Sequence, residues 1–276
     1  MITHLQRQQR NQGVGASEVA AILGLDPYRS AWDLWALKTE KHIESGDESS
    51  SEAADIGNEI EVTTARLAEK RMGVRLVKPT ATYKAANGIM FANLDRQVEK
   101  AVRGAENCEL KSTGLLDGWG GAGTDDVPER VLLQVHAQML CSDARVSHIA
   151  RLLGRFGFKF DLYRVEYNPV LGVAIEERVC DWWNAHVVKD IAPEDSQPSL
   201  PVVSFLKRTP GKVIEIGSDV VAAYVAARDA KKKAEEIEDN ARANLLAALG
   251  DAEGGKAPGF SVSFQTINTK RIDTKA

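Results

Sequence analysis

The periodicity of apolar positions changes several times along the chain, and each change marks an element. Helical spacing runs from Ser17 to Leu23 and closes at Gly24. Residues 1–12 before it read as mobile or extended. A turn at Leu25-Asp26-Pro27-Tyr28 leads to Ser30, which has Asp33 three residues on, the form of a capping box opening a second helix. Residues 44–54 (ESGDESSSEAA) carry no core-forming pattern and read as a loop. A long amphipathic helix is predicted over 53–72, with Ile56, Ile60, Ala65, Leu67 and Ala68 on its apolar face and Gly73 as its C-cap.

The pattern then turns extended. Strands are predicted at 74–78, 80–85, 90–98 and 106–112, with turns at Asn87-Gly88 and near Gly104. The glycine-rich stretch 114–126 reads as a mobile loop. A helix over 128–142, strands over 146–153 and 158–167, and a helix from Asn168-Pro169 to Lys189 follow. Residues 191–212 contain four prolines and read as a linker. A helix over 219–249 is rich in Ala, Lys and Glu, with Lys231/Glu235 and Lys232/Glu236 at i,i+4. The tail 260–271 alternates weakly, like a strand; its end, RIDTKA, has no stop signal, so a longer chain is expected. There is no internal repeat. The element order predicts an α/β fold, a central mixed sheet flanked by helices with a C-terminal helical appendage. The expected organisation is a core over 1–190, a linker-like segment over 191–216, and a helical appendage and tail over 217–276.

Composition narrows the class. Of 276 residues, 43% are hydrophobic, enough for a sizeable core. The formal charge of −4 argues against a non-specific nucleic-acid coat, but a local basic groove or a bound metal could still supply a positive field. Cys108, Cys141 and Cys180 are far apart and form no C-x-x-C, so neither a zinc site nor a disulfide framework is indicated. No apolar run approaches the ~20 residues of a membrane span. The polar start MITHLQRQQRNQG lacks a signal-peptide core, so a cytoplasmic location is expected.

The candidate chemistry lies in two extended segments, FANLDRQV with Asp95 and CELKST with Glu109 and Lys111. On a strand, residues i and i+2 share a face, so Glu109 and Lys111 project together. If the two segments pair as a hairpin, Asp95 comes beside Glu109. Two carboxylates offer hard oxygens to Mg²⁺, and a lysine can orient water or stabilise developing negative charge. E-x-K on a strand is common, however, and by itself reads as a solvated face rather than a site, by roughly ten to one.

Five ordered motifs make the chain resemble the YqaJ family of viral recombinases, whose members include phage recombination exonucleases with a PD-(D/E)xK site. These are VGASEVAAILGLDPYRSAWDLWALKTE, IGNEIEVTTARLAEKRMG, ANLDRQVE, CELKST and VLLQVHAQML. The resemblance covers most of residues 10–190 and implies a restriction-endonuclease-like core. It implies Asp95, Glu109 and Glu61 as metal ligands or metal support, Lys111 as the catalytic lysine, and Gln134 as the glutamine completing the site. It implies Ser17 and Arg10 as contacts to a 5′-phosphate. Ser17 follows Gly13 and Gly15 at a helix start, where backbone N–H groups can meet an anion. Gln134 and Gln138 share a helix face. The family often has glycine after the sheet aspartate; here Arg96 follows Asp95.

The implied activity is Mg²⁺-dependent hydrolysis of DNA phosphodiester bonds (Mn²⁺ as a substitute), 5′-to-3′ from duplex ends, leaving 3′ single strands for phage-type recombination. The implied partners are double-stranded DNA ends, a single-strand annealing protein and further copies of the chain in a trimeric ring. An endonuclease on the same core, or a catalytically silent DNA-binding protein, are the alternatives. Other features take plainer readings. Trp32, Trp35, Trp182 and Trp183 are expected in the core, and His136 as a packing or hydrogen-bonding residue. Arg145, Arg151, Arg155 and Lys159 could line a DNA groove or form a solvated face.

Overall fold

The computed structural model describes residues 11–41, 50–101, 104–114, 117–154, 157–204 and 206–265. Arg10, Arg155, the stretch 42–49 and the tail from 266 lie outside the described residues, and with them the expectations placed there. The chain divides into two compact units, Met1–Arg208 and Thr209–Ala276.

The first unit opens with a short strand, β1 (Val14–Gly15), a 3₁₀ turn (Ala16–Glu18) and the helix α1 (Val19–Ile22). Helix α2 (Ala31–Lys38) starts at the expected capping box: Ser30 Oγ accepts from Asp33 N–H, and Asp33 Oδ2 accepts from Ser30 N–H, both at 3.1 Å. Helix α3 (Ser50–Met72) begins three residues before the expected start and ends at Gly73, whose φ of 68° suits a residue without a Cβ. Its apolar face is thin: Ala65 and Ala68 are buried, whereas Ile56 is exposed.

Strands β2 (Leu76–Val77), β3 (Tyr83–Lys84), β4 (Met90–Ala92), β5 (Arg96–Val98) and β6 (Glu106–Thr113) follow. The single strand expected over 90–98 is two. β4 pairs with β1 and β3 in one sheet, while β5 pairs with β2 and β6 in another. Asn93, Leu94 and Asp95 cross between the sheets, and Leu94 anchors the crossing in the core. Helix α4 (Glu129–Ser142), strands β7 (Val146–Gly154) and β8 (Phe158–Glu166), and helix α5 (Pro169–Trp182) lie close to their expected ranges. Asn168 Oδ1 caps α5 by accepting from Val170 and Leu171 N–H. A π-turn over Trp183–Val187 extends it.

The larger sheet has the order β2-β5-β6-β7-β8, with β6 and β7 parallel and the other pairs antiparallel. Period-two alternation gives its faces to different helices. Cys108 and Ala150 pack with Ala68 of α3, while Ile149, Tyr163 and Val165 pack under Val131, Val135 and Met139 of α4. A further cluster joins Val14, Val19, Leu34, Met90, Leu133 and Val179, with all four tryptophans expected there in or against it.

Three further expectations change. The glycine-rich stretch is tied to β8: Gly123 N–H donates to Leu162 O, and Arg164 N–H donates to Thr124 O. Trp119 packs beside Tyr163, ring centroids 5.1 Å apart. The proline-rich stretch also belongs to the first unit up to Arg208, not to a linker from 191. Ser196 Oγ accepts from Trp32 N–H, Ser199 N–H donates to Asp33 Oδ1, and a short helix α6 (Leu200–Ser204) follows. Arg151, finally, neither faces solvent nor lines a groove. It is buried, paired with Asp161 at 2.6 Å, and lies 4.7 Å above the Trp119 ring.

The second unit is helix α7 (Ser218–Leu249) and a hairpin of β9 (Gly254–Ala257) and β10 (Phe260–Ser263). Lys231 and Glu235 pair at 3.6 Å, in the exposed setting where such pairs contribute little. Among the described residues no helix is long and apolar enough to cross a membrane.

Candidate active site

The register of β5 on β6 sets Arg96 opposite Cys108 and Gln97 opposite Asn107, which brings the preceding Asp95 alongside Glu109. Asp95 Oδ2 accepts from Leu110 N–H at 2.9 Å. Glu109 and Lys111 share the β6 face turned toward α4, as the strand period requires. Glu109 is 4% exposed and held on both oxygens. Gln134 Nε2 donates to Oε1 at 2.7 Å and Gln138 Nε2 donates to Oε2 at 2.6 Å. Lys111 Nζ lies 2.7 Å from Glu109 Oε1 and donates to Gln134 Oε1 at 2.8 Å. These partners fix the Gln134 amide, because only its carbonyl can accept from an ammonium.

Asp95, Glu109, Gln134 and Gln138 line a cleft of about 490 Å³ together with Ser17 and Phe91. Its lining also carries Glu18 and Asp26 against Arg29, so acids outnumber bases. Burial, reinforced by the neighbouring Glu109 charge, pushes the Asp95 carboxyl from the ordinary 3.8 up to about 7. Gln138 Oε1 is buried with no hydrogen-bond partner among the described residues. A buried acceptor and the Asp95 carboxyl driven toward protonation beside Glu109 both suit a hydrated cation. Mg²⁺ takes few protein carboxylates and completes its shell with water and phosphate oxygens, which the pair Asp95 and Glu109 fits.

Glu61 is not part of the cleft lining, although its charge reaches Asp95. Its Oε1 accepts from Arg96 at 2.7 Å and from Lys78 at 2.8 Å. Partial burial works against its charge, but Lys78 and Arg96 outweigh it and hold the carboxyl below the ordinary 4.5. Among the described residues no group of three His, Cys, Asp or Glu is disposed to hold a metal. The expected three-carboxylate set is therefore two carboxylates in the cleft with a third tied to cations beside them.

Ser17 is exposed in the cleft wall, in the 3₁₀ turn. The residue after it was not anticipated as part of the site. Glu18 is buried, accepts from Gly15 N–H at 2.8 Å and from Lys38 Nζ at 2.7 Å, and stands 3.8 Å from Arg29. This network holds the turn that presents Ser17. The available signal was a lone glutamate inside the apolar run VGASEVAAIL. His136 takes its expected packing role. Its Nε2 accepts from Asn168 N–H, which leaves Nδ1–H to donate to Leu132 O at 2.9 Å. Burial holds its pKa below the usual 6.5, so the ring stays neutral.

The fold defines a class: a mixed α/β protein in which a central mixed sheet with helices on both faces carries an acidic cleft. The alkaline exonuclease LHK-Exo of Laribacter hongkongensis, in complex with dAMP, shares this fold with a TM-score of 0.52 and 17% identity, over 68% of this chain and 94% of that chain. More specifically, the chain belongs to the YqaJ-like viral recombinase family, whose model matches residues 7–145. That span contains all the candidate site residues from Arg10 to Gln134. The protein YqaJ of Bacillus subtilis (strain 168) is 28% identical over 283 residues, covering 97% of this chain and 84% of its own length.

Proposed function

We propose that this protein is a divalent-metal-dependent deoxyribonuclease that uses Mg²⁺, with Mn²⁺ as a substitute, to degrade linear duplex DNA from its 5′ ends and leave 3′ single strands. The observation that carries the reading is the bonding of Glu109 to both Lys111 and Gln134, with Asp95 and Glu109 lining one acidic cleft. Asp95 and Glu109 stand side by side in the cleft wall, and bringing a phosphate diester up to them calls for a counter-cation that these two would hold. When bound, that ion supplies Lewis-acid polarisation of the phosphate.

The chain's own groups do the rest. Gln134 and Gln138 keep the Glu109 carboxylate from rotating. Lys111 is braced by Glu109 and Gln134, and its ammonium donates to the attacking water or to the oxygen on which negative charge develops. The Ser17 hydroxyl donates to the terminal 5′-phosphate, with Arg10 as its cationic companion. Membership of a viral recombinase family and the fold shared with an alkaline exonuclease support the same reading. The proposal extends to assembly: a trimeric ring around the duplex, and an annealing protein that takes up the 3′ strand in the host cytoplasm.

The test is digestion of end-labelled linear duplex with Mg²⁺, beside a closed circle, an EDTA control and Lys111→Ala. Progressive loss of 5′ label, absent from every control, is expected. Cutting of the closed circle would replace the exonuclease reading with an endonuclease one. Folded protein inert with both Mg²⁺ and Mn²⁺ would leave a DNA-binding role.

A further inference from the structure

Arg96 lies beside the site, the proposed chemistry does not use it, and its placement is specific. Asp95 turns toward the Glu109 face of the sheet. Its neighbour Arg96, paired in register with Cys108, turns by strand alternation to the opposite face, the one α3 covers. There its side chain is 10% exposed, and NH1 donates to Glu61 Oε1 at 2.7 Å and to the main-chain oxygen of Asp95 at 2.5 Å. Lys78 Nζ reaches the same Glu61 oxygen from the solvent side. One carboxylate therefore meets two fixed positive charges, and one of them also clasps the backbone of a proposed metal ligand.

A divalent ion at Glu61 would have to displace a largely buried guanidinium or sit within a few ångströms of two cations. Both are costly where the effective dielectric is low. A guanidinium also cannot give up its proton to make room. We infer that Arg96 and Lys78 take the place of a cation at Glu61: Glu61 is not a metal ligand in this protein, and the site loads a single divalent cation on Asp95 and Glu109. Arg96 is thereby a positioning residue. It holds Glu61 with its guanidinium and anchors the crossing between the two sheets at the Asp95 main chain. The inference rests on the proposed metal-dependent reading and specifies its stoichiometry.

The experiment is Mn²⁺ binding to the full-length protein without DNA, by titration calorimetry and by the electron paramagnetic resonance signal of free Mn²⁺. Wild type is expected to bind one ion per chain. Glu61→Gln, at a partly exposed position, is expected to bind one ion with affinity within about threefold of wild type, whereas Asp95→Asn loses it. Arg96→Gly releases Glu61 and is expected to gain a second, weaker ion, while Arg96→Lys keeps one. Two ions on the wild type, falling to one in Glu61→Gln, would overturn the inference and leave the metal-dependent nuclease reading standing. So would a loss of affinity of about tenfold or more in Glu61→Gln. No binding to folded wild type would remove both. Should Arg96→Gly fail to fold, as judged by circular dichroism, the comparison of wild type with Glu61→Gln decides the question.

Discussion

Asp95→Asn is expected to make the metal-free protein more stable while abolishing its metal binding. The sign follows from linkage. The folded Asp95 carboxyl titrates at about 7 and the free one at 3.8, so the native state holds that proton more tightly than the unfolded chain does. The stabilisation is complete below 3.8, declines as pH rises, and is gone above about 7, where a buried carboxylate must ionise beside Glu109. The gap between the two pKa values corresponds to roughly 4 kcal/mol at about 1.36 kcal/mol per pKa unit. Local relaxation makes about 2–4 kcal/mol the working range. Asparagine has no such proton to lose, and its carbonyl can still accept from Leu110 N–H. For a unit of this size each kcal/mol moves Tm by about 2–4 °C, so the variant should melt roughly 5–15 °C higher near pH 8 without metal.

The gap should shrink toward zero near pH 4. Saturating Mg²⁺ should restore the wild type by about 2.7 kcal/mol at a hundred times Kd, and the variant not at all. The assay is differential scanning calorimetry across about pH 5–8 with EDTA or Mg²⁺. A Tm difference independent of pH, or a variant less stable near pH 8, would refute the reasoning.

Lys111→Ala is expected to lower single-turnover cleavage by about 10²–10³-fold with Mn²⁺ binding retained; loss of the ion from a folded variant would instead make Lys111 a brace for Glu109. Ser17→Ala should reduce the preference for 5′-phosphorylated over 5′-hydroxyl ends about tenfold or more, the scale of a hydrogen bond to a charged group, and an unchanged preference places the phosphate elsewhere. Glu18→Ala removes the carboxylate bonded to the Lys38 ammonium, whose side chain is wholly buried, and should cost about 3–5 kcal/mol in urea unfolding. A wild-type midpoint would show that the Glu18 network does not hold the Ser17 turn.

What was legible in the sequence was local. The capping box at Ser30 and Asp33, the stop at Gly73 and the shared face of Glu109 and Lys111 each depend on residues a few positions apart, where helix or strand geometry leaves little choice. The glutamine stripe on α4 was visible for the same reason, and the family motifs ordered these pieces into a site expectation. What only the tertiary structure decided involves surfaces distant in sequence. The run 90–98 looks like one strand because its apolar residues continue. It breaks at Asn93–Asp95 because its two ends find partners in different sheets. Residues 191–208 look like a linker because prolines recur in them, yet Ser196 and Ser199 bond to α2, more than 160 residues away. Glu61 reads as a ligand in its motif, but its state depends on Arg96 and Lys78, which reach it only once β5 and α3 pack on the same face. Periodicity records which face a residue takes, while the charges and partners waiting on that face are set by chain closure over long distances.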